Sequence, residues 1–121
     1  MIVNLETFSD ADLVQSFIYQ TPLGAPIDLG TDTLRMMVRS RADDATVYIE
    51  SATWNGEIIV TNAALGAFTL VIPIARLVLL TPGIYVHSLI KTASVGLLRK
   101  ELWRGTLTHA AGPTRWRLGT P

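Results

Sequence analysis

The 121-residue sequence contains no cysteine, so neither a disulfide nor a thiolate metal site can form. Charged residues make up only 17% of the chain, against about a quarter in a typical soluble domain. This deficit favours an apolar surface covered by a partner or by further copies of the chain, with ordinary scatter in composition as the alternative. The net charge is zero, which gives no support to a nucleic-acid partner.

The sequence also lacks a hydrophobic run long enough to cross a membrane as a helix. The longest run, residues 67–80, contains Pro73 and Arg76 and falls short of the roughly 20 residues that a bilayer requires. Residues 1–6 lack the basic start and the apolar stretch of a signal peptide. We therefore expect no membrane contact, and synthesis and retention in the cytoplasm unless a larger assembly carries the chain out.

Strand patterns dominate what is present. Residues 33–40 alternate cleanly, and the pattern predicts that Leu34, Met36 and Val38 face inward. Further strands are predicted over residues 13–20, 46–52, 58–60, 68–72, 84–91 and 97–109. About seven short strands at this spacing indicate a single all-β domain, an antiparallel β-sandwich, which we place at residues 1–112 with a C-terminal tail at 113–121.

Glycine and proline mark the connections between these strands. Asn55-Gly56 is a strong hairpin signal and predicts direct pairing of the strands before and after it. Residues 73–80 are the one plausible helix, because a proline suits the first helical position. Gly105, in the middle of the last strand, predicts a bulge or bend.

Candidate catalytic residues do not assemble into a recognisable set. His87 and His109 both lie inside strand patterns, and Ser88 points to the opposite face from its neighbour His87. A general base needs a nucleophile and an orienting group within hydrogen-bond reach. We therefore predict no enzyme activity and no cofactor.

The carboxylates are also read as structural. Asp10 and Asp12 could begin a calcium loop, but the glycine and the distant glutamate of such a loop are missing. Asp28 is expected to cap a turn by accepting hydrogen bonds from nearby amides. We predict no dedicated metal site, and only opportunistic ion binding stays open.

The three tryptophans allow two interpretations. Trp54, Trp103 and Trp116 could stack on sugar rings, which makes a carbohydrate-binding module that contacts host glycans the alternative function. Their separation along the chain favours core or interface packing instead. Outward positions with interface chemistry predict protein contacts by Arg35, Met37, Arg39, Tyr48, Arg115, Trp116 and Arg117.

Several stretches resemble a known group of proteins. Residues 24–30 (GAPIDLG), 33–39 (TLRMMVR), 80–85 (LTPGIY) and 102–108 (LWRGTLT) are similar to motifs of small tailed-phage and prophage virion proteins, including the immunoglobulin-like N-terminal domain of baseplate upper proteins. One departure is residues 87–89 (HSL), where the family pattern continues Tyr-Asp-Leu. Ser88 stands where the family carries its aspartate, so no role of that aspartate is carried over to this chain.

The resemblance implies an immunoglobulin-like sandwich and a place in the virion after synthesis in the bacterial cytoplasm. It implies a structural component, whether an adaptor, a spike base or a decoration module, whose partners are other virion proteins. A low-charge β-module is also suited to assembly as a homo-oligomer through symmetric contacts.

Overall fold

The computed structural model describes residues 2–113, in which there are eight β-strands, one α-helical turn and two 3₁₀ turns. The strands, in chain order, are β1 (Leu5–Phe8), β2 (Leu13–Ile18), β3 (Thr33–Arg39), β4 (Ile49–Ala52), β5 (Ile58–Asn62), β6 (Ala67–Ile72), β7 (Gly83–Thr92) and β8 (Arg99–Ala110). The helical turn α1 (Ile74–Leu77) connects β6 to β7. The predicted helix at 73–80 is therefore confirmed as a shorter element, with Pro73 at its N-cap.

The strands form two sheets. The large sheet has the order β1-β8-β7-β3-β4, and the small sheet has the order β2-β6-β5. Neighbouring strands are antiparallel except for β1 and β8, which are parallel. The inner faces of both sheets contribute to one hydrophobic core, so the molecule is a β-sandwich.

Period-two alternation places the core as the sequence predicted. On β3, Leu34, Met36 and Val38 are fully buried, whereas the residues between them are exposed or half-buried. On β6, the inward side chains of Phe68, Leu70 and Ile72 pack against them from the small sheet. Burial of side chains this size is the main favourable term in folding, at about 1.5–3 kcal/mol each.

A tyrosine fixes the corner at which the chain passes from the small sheet to the large one. The Tyr85 hydroxyl donates a 2.6 Å hydrogen bond to the carbonyl oxygen of Thr81, four residues upstream and just after α1. This tyrosine corner at the start of the penultimate strand, together with the two-sheet strand order, is characteristic of immunoglobulin-like domains. The predicted immunoglobulin-like sandwich is confirmed.

The inter-sheet disulfide of antibody domains is replaced here by an aromatic cluster. His87 lies two residues after Tyr85, where antibody domains carry their second cysteine. Its Nδ1 accepts a 3.3 Å hydrogen bond from Nε1 of Trp103. The Trp103 ring lies 4.5 Å from the ring of Phe17 and 5.7 Å from that of Phe68, and therefore links the large sheet to β2 and β6.

Two sequence predictions about connections are wrong. Asn55-Gly56 does not close a hairpin, because β4 pairs with β3 in the large sheet and β5 pairs with β6 in the small one. The turn carries the chain between sheets instead.

The bulge in β8 lies at Leu102 and not at the predicted Gly105. A Cβ atom added at Gly105 would lie 1.8 Å from the Val3 carbonyl oxygen. Gly105 therefore permits close approach of the N-terminal segment.

Candidate binding groove on the large sheet

The outer face of the large sheet carries a shallow groove of about 1040 Å³. It is lined by the outward side chains of β3, β7 and β8, and by residues from the N-terminal segment and from the turn after β4. Met37, Val86 and Ile90 are apolar residues of this lining, and its cationic side chains are Arg35, Arg39, Arg99 and Arg104. Alternation along the three strands produces this surface, because every second side chain is excluded from the core.

Arg35 is held in place at the groove by two neighbours. Its guanidinium makes two contacts with the Glu50 carboxylate, at 3.2 and 3.3 Å. Its Cζ lies 5.9 Å from the ring centroid of Trp54, which is within the range of a cation–π interaction. Trp54 belongs to the 3₁₀ turn after β4 and is 59% exposed, so its ring is available to a ligand.

Arg39 orders the neighbouring part of β3. It donates one hydrogen bond to the Asp44 carbonyl oxygen in the β3–β4 loop and another, at 3.3 Å, to the sulfur of Met37. Met37 is half-buried, so the thioether is only partly covered. A polarizable side chain flanked by two ordered arginines suits a protein interface.

The bulge at Leu102 brings a further ion pair into the groove. In a regular strand, residues three apart point to opposite faces, but the extra residue returns Glu101 and Arg104 to the same face. The Arg104 guanidinium contacts the Glu101 carboxylate at 2.8 and 3.0 Å. These hydrogen bonds hold the pKa of Glu101 below its usual value and raise the pKa of Arg104.

The predicted interface residues do not all lie at one site. The structure brings Arg35, Met37 and Arg39 together in the groove. It places Tyr48 elsewhere, with its ring edge-on to Tyr85 at a centroid distance of 5.4 Å. Arg115, Trp116 and Arg117 lie outside the described residues.

Sequence reasoning did not place Trp54, Arg99, Glu101 and Arg104 with the β3 residues. Trp54 reaches the groove from the turn after β4, and Arg99, Glu101 and Arg104 reach it from β8. These residues lie near the β3 residues because of the order of strands in the sheet, which local sequence spacing does not reveal.

Both histidines are buried in the sandwich. His87 accepts through Nδ1 from Trp103, and its Nε2 lies 3.2 Å from the Thr106 carbonyl oxygen, so the neutral tautomer with hydrogen on Nε2 satisfies both contacts. The Nδ1 of His109 lies 2.9 Å from the Thr7 hydroxyl. Burial lowers the pKa of both imidazoles. Both ring nitrogens of His87 therefore have partners, whereas Nε2 of His109 is buried without a hydrogen-bond partner among the described residues.

The aspartates serve turns and connections. Asp28 accepts a 2.7 Å hydrogen bond from the Gly30 amide, which confirms the predicted turn cap. Asp12 accepts a 2.5 Å bond from the amide of Ile74 at the start of α1, and Asp32 pairs with Lys91 at 2.8 Å. The hydrogen bond from Lys91 is the main cause of a lowered Asp32 pKa. Within residues 2–113 there is no cluster of acidic or histidine side chains that could hold a metal, and no helix fit to span a membrane.

No protein-family model and no curated protein matches this sequence. Among solved structures, the chain is similar to one from the crystal structure of Dpr1 IG1 bound to DIP-eta IG1. The two are 18% identical, the match covers 90% of each chain, and the TM-score is 0.43. A likeness at this level carries no information about what the present chain binds.

Proposed function

We propose that this chain is a protein-binding module of a tailed-phage or phage-like particle, and that the groove contacts another virion protein. The observation that carries the binding surface is the grouping of Met37, Trp54 and four arginines on one face of the large sheet. Methionine, tryptophan and arginine are the side chains in which protein interfaces are enriched. The assignment to a virion is supported by the sequence motifs at residues 24–30 and 33–39.

Three of the four arginines of the groove are held by other groups of the chain. Arg35 and Arg104 are each held by a carboxylate on the same face, and Arg39 is held by the backbone of the β3–β4 loop. Side chains that are already fixed lose little entropy on association, which favours affinity. The proposed role needs no catalytic step and no cofactor.

The proposal is tested on phage or phage-like particles purified from a bacterial strain that encodes this chain. Purified particles should contain the protein by mass spectrometry. We expect Met37→Glu to reduce its incorporation about tenfold or more, which corresponds to about 1.4 kcal/mol, because the carboxylate removes an apolar contact and is placed to pair with the arginines that would otherwise contact the partner. Leu23→Glu is the matched control, since Leu23 is 98% exposed in a turn and does not line the groove. Particles that lack the protein would refute the virion role, and undiminished incorporation of Met37→Glu would refute the groove.

Carbohydrate binding is the alternative function, and one observation favours it. Trp54 presents an exposed ring beside Arg35 and so offers a stacking surface for a sugar. Trp103 cannot contribute, because it is 1% exposed in the core. Binding on a glycan array that is lost with Trp54→Ala and retained with Leu23→Glu would favour this alternative over the protein-binding role.

A further inference from the structure

The strand β2 forms an open edge of the small sheet. It pairs with β6 on one side, and no described strand pairs with it on the other. Its six residues, LVQSFI, include no charge and no proline, and its pairing with β6 has no bulge. Natural sheets usually protect their edges with such features or with short strands, because an open edge recruits further strands.

The other three edges are protected. Strand β4 has only four residues, and its outer backbone is capped: the Ala52 amide donates to Asn55 Oδ1, and the Glu50 carbonyl oxygen accepts from Asn55 Nδ2. Strand β1 also has four residues and carries Glu6. Strand β5 has an irregular register between Val60 and Asn62. Among the described strands, β2 alone keeps a long, flat and uncharged edge.

The backbone of β2 has hydrogen-bonding groups directed at this open edge. The Tyr19 amide donates a 2.8 Å hydrogen bond to the Gly66 carbonyl oxygen, in register with the β2–β6 ladder. Backbone groups alternate in direction along an antiparallel strand. The amides and carbonyls of Val14, Ser16 and Ile18 therefore point away from β6.

The side chains at this edge are also incompletely covered. On the outer face, Val14 is 64% exposed and Ile18 is 57% exposed. On the inner face, Phe17 is only half-buried, and Gln15 is exposed although it faces the core side. A further strand alongside β2 would cover both faces.

We infer that the strand that occupies this edge is β2 of a second copy, which pairs antiparallel about a twofold axis at Ser16. This register places Ser16 opposite its own copy and Val14 opposite Ile18 of the second copy. It brings two β-branched pairs together on the outer face and sets no charges against each other. The result is a continuous six-stranded sheet with an isologous interface.

This inference is independent of the groove. The groove lies on the outer face of the large sheet, and the edge belongs to the small sheet. A dimer through β2 would leave two copies of the groove free for the proposed virion partner.

Charged substitutions on β2 test the proposed antiparallel register of the dimer. In Val14→Lys/Ile18→Lys, each lysine would face a lysine of the second copy, and we expect the dissociation constant of the dimer to rise about tenfold or more. Val14→Glu/Ile18→Glu should weaken the dimer in the same way, and an equal mixture of the two variants should restore it as a heterodimer. Light scattering over a concentration series measures the mass in each case. Ile59→Lys/Thr61→Lys on β5 of the same sheet is the matched control and should leave the dimer unchanged.

A cysteine crosslink provides a second measurement. Because the natural chain has no cysteine, Ser16→Cys introduces a single thiol. Opposed residues in a hydrogen-bonded antiparallel pair have Cα atoms about 5.5 Å apart, within the range of a disulfide. Ser16→Cys should form a covalent dimer under mild oxidation, and Thr61→Cys should not.

Three outcomes would overturn the inference. They are a wild-type chain that stays monomeric at every concentration, a dimer that persists in both charge variants, and a mixture that fails to recombine. Met37→Glu separates this result from the proposed function, since it should leave the mass of the dimer unchanged. If it abolishes the dimer, the groove is the self-contact and the β2 interface is wrong.

Discussion

Trp103 connects the two sheets at a position where the fold has no covalent link. It comes from the bulged part of β8, and its indole contacts Phe17 of β2, Phe68 of β6 and His87 of β7. One side chain therefore joins three other strands across the sandwich. The bulge makes this possible, because it turns Leu102 and Trp103 inward together.

We predict that Trp103→Ala lowers the free energy of unfolding by about 3–5 kcal/mol, the range for loss of a large aromatic side chain from a packed core. Trp54→Ala removes the same side chain from an exposed turn and should change stability by less than about 0.5 kcal/mol. Urea denaturation followed by far-UV circular dichroism compares the two variants. Equal losses for both would show that Trp103 does not have this role in the core.

At the scale of the element, sequence reasoning succeeded where a pattern is local. Alternation in residues 33–40 and 68–72 predicted β3 and β6 and the faces that they bury. It missed β1, because four residues that pair in parallel with a strand about a hundred positions later leave no local signal. For the same reason, the predicted interface residues that line the groove are only those of β3, namely Arg35, Met37 and Arg39.

The turn at Asn55-Gly56 shows the limit of a local signal. Gly56 is left-handed, with φ of 80°, but it ends the 3₁₀ turn after β4, and Asn55 does not have the positive φ that a type I′ hairpin turn requires. The dipeptide could not predict which strands pair, because that depends on distant partners. Glu57, the next residue, is buried and bonded to Ser51 at 3.0 Å and to Arg76 of α1 at 2.7 Å, and these contacts direct the chain into the small sheet.

The Asn55 side chain substitutes for a neighbouring strand at the edge of β4. Its Oδ1 accepts from the amides of Ala52 and Glu57, and its Nδ2 donates to the Glu50 carbonyl oxygen. We predict that Asn55→Ala lowers the free energy of unfolding by about 1–2 kcal/mol, because three partly exposed hydrogen bonds are lost. Asn55→Asp keeps the acceptor and should cost less. Chemical denaturation measures both, and equal costs would contradict the assigned geometry.

At the scale of the whole molecule, the sandwich presents two surfaces of different chemistry. The large sheet has a groove with arginines and Trp54, and the small sheet has an uncharged edge at β2. Both sheets share one core, so either surface can be occupied without disturbing the other, provided that the core stays intact. Two imidazoles, those of His87 and His109, are buried in the sandwich, and burial favours their neutral form.

The stability of the whole domain should therefore fall as the solution is acidified. Burial lowers the pKa of His87 and of His109 below the ordinary value of 6.5. Below about pH 6.5 the unfolded chain binds protons that the folded chain does not, so the free energy of unfolding decreases as the pH falls toward the lowered pKa values. The limiting slope is about 1.4 kcal/mol per pH unit for each histidine.

Urea denaturation at pH 7.5 and at pH 5.5 measures this loss of stability. Asp32, Asp44 and Glu101 have folded-state pKa values below the ordinary carboxyl value of about 4, so these three groups are ionised in both the folded and the unfolded chain over this interval and do not contribute to the change. His87→Gln/His109→Gln should be less stable at pH 7.5, because contacts with Trp103 and Thr7 are altered. Its free energy of unfolding should, however, be nearly the same at pH 5.5 as at pH 7.5. An acid sensitivity as steep in this variant as in the natural chain would place the titrating groups elsewhere.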